Sequence, residues 1–249
     1  MKLKLKFLNL WICVLTLTVG VAYLATAQQY QPAGDAWIAK WWMLSGLITT
    51  TGGFAESAKH DWLNEGTKGA LTQESVSTMA GLPKTKNTTV SLPNNGGNLT
   101  WKVLTIDPTN GNNMSVVYGL ADETNVDTYA IIVIDSPTAR STTMHPAHDD
   151  YGHIWLNGTK VYDNPNWTEG TQTVKKPTKV DLNKGANVLL YRCGESGGSD
   201  YFNLHFEATD KDLKITPTLD DKFFEVIGGG TAVEPGGKLS TTWGDIKRR

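Results

Sequence analysis

The segment Asp149–Asn164, DDYGHIWLNGTKVYDN, constrains the fold of this chain more than any other stretch. Asn157-Gly158 is a two-residue turn signal between alternating strands, because a type I′ turn needs φ > 0 at both central positions and Asn and Gly reach it at least cost. The turn sets a register in which Leu156 faces Thr159, Trp155 faces Lys160, Ile154 faces Val161 and His153 faces Tyr162. Side chains alternate across a strand, so Ile154, Leu156 and Val161 are expected on one face and His153, Trp155, Lys160 and Tyr162 on the other. Carried away from the turn, the same register predicts that Asp149 and Asp150 approach Asp163 and Asn164, since opposed residues lie about 5 Å apart. Three carboxylates and an amide would then share the open end of the hairpin.

The flanking sequence extends this into a β domain. Trp37 to Ile48 is apolar and runs into the turn Thr49 to Gly53, which suggests an opening strand. Ala55 to Met79 is polar with weak helical character, with a short helix expected near His60 to Glu65. Strands are expected at Trp101–Ile106, Met114–Leu120 and Tyr129–Ile134, the last apolar on both faces and so central. Val180–Leu182, Asn187–Arg192 and Tyr201–Glu207 follow, separated by Gly- and Asn-containing turns. In the final strand Phe202, Leu204 and Phe206 point one way, and Asn203, His205 and Glu207 the other. Short strands, frequent turns and little helix predict an all-β fold: an antiparallel jelly-roll β-sandwich with short helical elements in the N-terminal half.

The ends read differently. Lys2, Lys4 and Lys6, an apolar run to Leu24 and Ala25-Thr26-Ala27 together form a signal-peptide pattern over residues 1–27, cleaved before Gln28. The run is long enough that an uncleaved anchor is the alternative. Cys13 lacks the small residues that a lipoprotein site places before its cysteine. Export implies a secreted or cell-surface protein with no stable membrane insertion after cleavage. The sandwich is assigned to 28–212 and a C-terminal extension to 213–249. There, Gly228–Gly230 and Pro235–Gly237 flank a linker, and LSTTWGDIKRR reads as a mobile tail or docking tag.

The mature chain, about 220 residues, is long enough for a sizeable core. It keeps one cysteine, Cys193, which ends the apolar run LLYRC and reads as a core residue rather than a nucleophile. A formal charge of −2 with mixed signs leaves no basic footprint for nucleic acid. Nine tryptophans and eight tyrosines can fill a sandwich core or stack on sugar rings.

The block HDDYGHIWLNGTKVYDN, followed by VDLNKGANVLLYRCGESGGSDYFNLHF, resembles the jelly-roll sugar-binding domains of bacterial protective antigen and yeast flocculins, modules also found attached to secreted bacterial proteins. The shared parts are Asp149-Asp150, Ile154 to Gly158, Val161 to Asp163, Leu182 to Asn187 and Leu189 to Phe206. The resemblance covers Asn125 to Phe206. It implies that Asp149 and Asp150, which match the paired Asp of calcium-dependent members, bind an ion that in turn holds sugar hydroxyls.

The candidate sites follow. Asp149, Asp150, Asp163 and Asn164 suit Ca²⁺, which takes oxygen ligands from carboxylates, amides, carbonyls and water. The plain alternative is polar hairpin ends facing solvent. Trp155, Tyr162 and Trp167 are candidates for an aromatic sugar platform, with Asp200 and Tyr201 beside the Gly/Ser loop as a second. His145, His148 and His153 could suit a transition metal, although loop histidines beside Pro146 need no such role. No Gly-x-Ser-x-Gly or His-Glu-x-x-His motif occurs, and adjacent Asp side chains diverge on a strand, so catalysis is not expected. The expected function is a non-catalytic, lectin-like module for a glycan or cell-surface polysaccharide. Its rival is a structural or adhesive surface protein whose acidic cluster only ties down loops.

Overall fold

The computed structural model describes residues 29–228. The expected signal peptide at 1–27 and the tail beyond Gly228 lie outside the described residues. The first half runs β1 (Lys40–Leu44), β2 (Ile48–Thr49), α1 (Gly53–Ser57), α2 (Trp62–Thr67), α3 (Gln73–Val76), α4 (Leu82–Lys86), β3 (Val90–Leu92), β4 (Gly97–Leu99), β5 (Trp101–Thr105) and α5 (Asn113–Val116). The second half runs β6 (Val126–Ser136), β7 (Arg140–Asp149), β8 (Tyr151–Leu156), β9 (Thr159–Asn164), β10 (Thr178–Leu182), β11 (Gly185–Glu195), β12 (Tyr201–Phe206), β13 (Lys214–Thr216) and α6 (Phe224–Ile227). It is an all-β antiparallel sandwich: a large sheet ordered β5-β1-β6-β11-β8-β9 packs on a small one ordered β10-β7-β12.

The expectation that Tyr129–Ile134 is central holds, and its cause is visible in the pairing. β11 runs along one edge of β6 for its whole length, while β2, β1 and β13 share the other. Such a strand is covered on both faces, so both sides must be apolar. Ala130, Ile132 and Ile134 enter the core between the sheets with Trp41, Met43, Leu189 and Phe202. Tyr129, Ile131 and Val133 enter a second core with Trp42, Leu44, Val188 and Leu190.

That second core is closed by the polar-looking segment after β2. It folds into the short helices α1 to α4, and its buried residues Trp62, Leu63, Leu71, Val76 and Leu82 cover the large sheet. Helices this short do not persist alone and are held by packing and caps. Asp61 accepts from the amides of Leu63 and Asn64, and Thr72 with Ser75 forms a reciprocal capping box on α3. The molecule therefore has a third, helical layer that the weak periodicity only hinted at.

The structure corrects other expectations. Met114–Leu120 is no strand: its first residues form α5, where Asn113 accepts from the amide of Phe202 and Ser115 bonds Asp200. Asn and Ser offer backbone groups local alternatives to a ladder. The histidines beside Pro146 lie on strand β7 rather than in a loop. Pairing with β10 ends at Met144, so on that side no ladder bond needs the missing amide of Pro146. The sheet also continues past residue 212. β13 pairs with β6, Ile215 joins the inter-sheet core, and Phe223 stacks on Trp42 with ring centroids 4.7 Å apart. No helix among the described residues is long and apolar enough to cross a membrane.

Candidate functional site

The hairpin forms as β8 and β9, with Asn157 at φ 51 and Gly158 at φ 86, both positive as the turn requires. The register holds for Leu156↔Thr159 and Trp155↔Lys160 and then shifts at a bulge, giving Ile154↔Tyr162, His153↔Asp163 and Gly152↔Asn164. One extra residue reverses the faces beyond it. Tyr162, expected outside with Trp155, therefore points into the inter-sheet core with Ile154.

The bulge also separates the predicted acidic cluster. Asp163 is exposed, ion-paired with Lys160 at 3.3 Å and 3.3 Å from His153 Nε2. It lines a cleft of about 330 Å³ with Phe54, Tyr151 and His153. Asn164 is buried and donates to the Tyr162 hydroxyl at 2.9 Å, beside His148 Nε2, which lies 2.9 Å from the same hydroxyl. Neither shares a cleft with Asp149 and Asp150.

What gathers around that pair comes from two sheet crossings set side by side. The chain leaves the small sheet at Asp149 and enters the large one at Tyr151. It leaves the large sheet at Glu195 and re-enters the small one at Tyr201. Asp149 pairs with Tyr201 and Tyr151 with Gly194, so the connecting residues Asp150, Glu195 and Asp200 meet at one end of the sandwich. The Asp150 amide donates to the Gly194 carbonyl at 2.8 Å, and Asp150 Oδ2 accepts from the Ser196 amide at 2.9 Å. Asp149, Asp150, Trp167, Ser196 and Gly197 line a cleft of about 480 Å³.

The electrostatics of this end are one-sided. Glu195 is 1% exposed, and neither of its carboxylate oxygens has a hydrogen-bond partner. Asp200 is fully buried; one oxygen accepts from the Ser115 hydroxyl and the other, Oδ1, has no partner. Burial, then the neighbouring Asp150 charge, pushes Glu195 up to about 8. Burial and then Asp150 raise Asp149 to about 7, and burial raises Asp200 to about 7. None of the four has an ion-pair partner among the described residues. Among the described residues no three His, Cys, Asp or Glu side chains form a group that could hold a metal ion as they stand. The donor set is hard oxygen whose ionisation the metal-free fold resists, the chemistry a hard cation such as Ca²⁺ would match and a softer ion would not.

Of the aromatic candidates, only Trp167 is available, at 52% exposure on the rim of this cleft. Trp155 is buried in the core under the helical layer, and Tyr162 in the core between the sheets. Tyr201 is buried, its hydroxyl donating to the Thr168 carbonyl at 2.6 Å. None of these three can offer a face to a sugar. The three histidines also part: His145 lies on the outer face of the small sheet, His148 between the sheets and His153 on the large sheet's other face.

Glu195 is the residue that sequence reasoning missed. Its signal was the loop Glu195-Ser-Gly-Gly-Ser-Asp200, acidic at both ends and joining the two strands that pair beside Asp149 and Tyr151.

No protein-family profile and no curated protein matches the chain. Among solved structures, an anti-sigma factor domain-containing protein from Clostridium clariflavum is 16% identical at a TM-score of 0.35, covering 48% of this chain and 40% of its own. A family 35 carbohydrate binding module from Clostridium thermocellum is 20% identical at a TM-score of 0.25, covering 36% and 78%. The PA14 domain of the MpAFP antifreeze protein is 11% identical at a TM-score of 0.35, covering 75% and 95%. The chain thus spans well under half of the first of these.

Proposed function

We propose that this chain is a non-catalytic glycan-binding module whose sugar site is the cleft at Asp149 and Asp150, organised by Ca²⁺. Glu195 carries the reading: a buried carboxylate with both oxygens unpartnered, set among Asp149, Asp150 and Asp200. Ionising these buried carboxyls without a partner is costly, and a divalent cation would supply the partner the ionised set lacks. Asp149, Asp150 and Glu195 would hold the ion, with Asp200 adding charge behind them. Loop carbonyls and water can complete the 6–8 oxygen ligands that calcium takes. The ion would offer open positions to vicinal sugar hydroxyls, and Trp167 a face for the sugar's C–H groups. Asp163 and Asn164 drop out of the ligand set. Export through residues 1–27 and a glycan or cell-surface polysaccharide outside the cell belong to the same proposal.

A glycan array read with EDTA-treated protein and again with CaCl₂ restored tests the reading. Retention of a glycan only with calcium supports it. A calcium-dependent rise in melting temperature with no glycan retained favours the structural or adhesive alternative. No response in either assay rejects both the ion and the sugar.

A further inference from the structure

We propose that the bound glycan is an uncharged chain of several sugars, running from the ion cleft into a neighbouring cleft under α1, where Phe54 receives a second ring. This rests on the reading of Asp149 and Asp150 as a sugar site and adds a subsite to it. The α1 cleft, about 330 Å³, has Phe54 and Ala58 on its helical side and Lys160, Asp163 and Pro165 on its hairpin side. The ion cleft is about 480 Å³. Each reaches the size of a small-ligand site, roughly 300 Å³ and above, so the pair takes more than one ring.

Three connections set the two clefts end to end. Tyr151, in the α1 cleft, directly follows Asp150, in the ion cleft. Pro165 borders one and Trp167 the other, two residues along a single loop. Two residues of chain span at most about 7 Å, comparable with the step from one sugar ring to the next. On the opposite wall the Phe54 amide donates to the Ser196 hydroxyl at 2.7 Å, and Ser196 lines the ion cleft. The amide of the same Ser196 donates to Asp150 Oδ2 at 2.9 Å, which fixes the wall to a proposed ion ligand.

The chemistry of the α1 cleft fits an uncharged sugar. Phe54 is half-buried, its ring centroid 5.8 Å from that of Tyr151 at an interplanar angle of 33°. With Ala58 and Pro165 it makes an apolar patch for sugar C–H groups. Polar groups of both signs stand at the rim. Lys59 is paired with Glu56, and Lys160 with Asp163 at 3.3 Å, so neither ammonium presents unmatched charge. His153 adds none at neutral pH, because burial and then the Lys160 charge lower it to about 4. Exposed ion pairs hold their members weakly, which leaves ammonium and carboxylate groups free to bond hydroxyls. An anionic sugar must break a pair to gain a cation, whereas an uncharged one uses both signs as they stand.

Titration calorimetry of the full chain in CaCl₂ with cellulose, xylan and mannan ladders, monosaccharide to hexasaccharide, tests the extension. On the ladder that binds, affinity should rise by at least about tenfold between monosaccharide and tetrasaccharide, more than the extra registers of a longer chain supply. Phe54→Leu keeps apolar bulk but loses the ring, and should lower hexasaccharide affinity about two- to tenfold. A monosaccharide held as tightly as its hexasaccharide overturns the extension and leaves the calcium and sugar reading standing. Unchanged hexasaccharide affinity in Phe54→Leu overturns the placement under α1. A polygalacturonate ladder bound more tightly than every uncharged one overturns the assignment of ligand class. No binding of any ladder overturns the extension together with the reading on which it rests.

Discussion

The Arg192 guanidinium and the Asp127 carboxylate form an ion pair of 2.7 Å with both side chains buried. Arg192 also donates to the carbonyls of Ser57 at 2.6 Å and His60 at 2.7 Å, while Asp127 accepts from Trp62 Nε1 at 2.8 Å and the Tyr151 hydroxyl at 2.6 Å. Strands β6 and β11 are thereby bolted to the helical layer through a densely bonded pair in which Arg192 Nε has no partner. Removing one member of such a pair leaves the other charge stranded and costs about 3–5 kcal/mol. Arg192→Met should lose that much in urea denaturation, and Arg192→Met/Asp127→Leu should recover most of it. A loss below about 1 kcal/mol in the single variant would mean that water reaches the pair.

Gly194 stands where this network meets the acidic cleft. A Cβ there would fall onto the Tyr151 ring and the Asp127 carboxylate, with no flexible end free to yield. Gly194→Ala should therefore destabilise by at least about 1–3 kcal/mol. Gly185→Ala is an unsuitable control because its φ is +87, whereas Gly197→Ala meets nothing within 4 Å and should unfold close to the parent.

The carboxylates of the cleft set a pH dependence for the chelated protein. Glu195 rises from 4.5 to about 8, and Asp149 from 3.8 to about 7. The folded state then holds protons more tightly than the unfolded chain. Stability from this cleft is present below about pH 4 and drains away as pH rises through 7 and 8. Glu195→Gln should raise the melting temperature at pH 8 in EDTA by at least about 2–4 °C, the response of a domain this size to about 1 kcal/mol. At pH 4 the substitution should change little. An equal shift at both pH values would remove ionisation as the cause.

On the acid side the controlling group is His148, which burial holds neutral down to about 3. A base depressed in the fold contributes stability above its unfolded value of 6.5, lost as pH falls toward 3. His153, lowered to about 4 first by burial, acts in the same direction. His148→Gln should remove about one proton from the slope of unfolding free energy against pH between 6 and 4, roughly 1.4 kcal/mol per unit. An unaltered slope would show that His148 titrates normally.

The fold was legible where alternation or turn chemistry is local. Asn157-Gly158 announces the hairpin, and the doubly apolar run at Tyr129–Ile134 announces a central strand. The bulge was not legible, because nothing in Lys160-Val161-Tyr162 distinguishes a regular ladder from a shifted one. That single extra residue moved Tyr162 into the core and carried Asp163 and Asn164 away from Asp149 and Asp150. The helical layer hid for a different reason. Its short helices depend on Trp62, Leu63 and Val76 finding the sheet, a tertiary effect that leaves little periodicity in a window of a few residues. Asp149 and Asp150 were read from the sequence, but Glu195 joins them only through the pairing of β11 with β8, a long-range register.

Under the proposed function, Trp167 separates sugar binding from the other roles given to the cleft. Its side chain is 52% exposed, while the loop that carries it is fastened independently: the Thr168 amide donates to the His148 carbonyl at 2.8 Å, and the Thr168 carbonyl accepts from Tyr201. Trp167→Ala should therefore leave stability within about 0.5 kcal/mol, as exposed substitutions usually do. It also leaves the carboxylates untouched, so the melting response to calcium should stay as in the parent. Stacking on an aromatic face contributes about 0.5–1.5 kcal/mol, so affinity for any glycan found on the array should fall roughly two- to tenfold. Asp150→Asn should instead lose the calcium response and the glycan together. If Trp167→Ala binds sugar as tightly as the parent, the ring is no part of the site, and recognition rests on the ion and the loop around Ser196 alone.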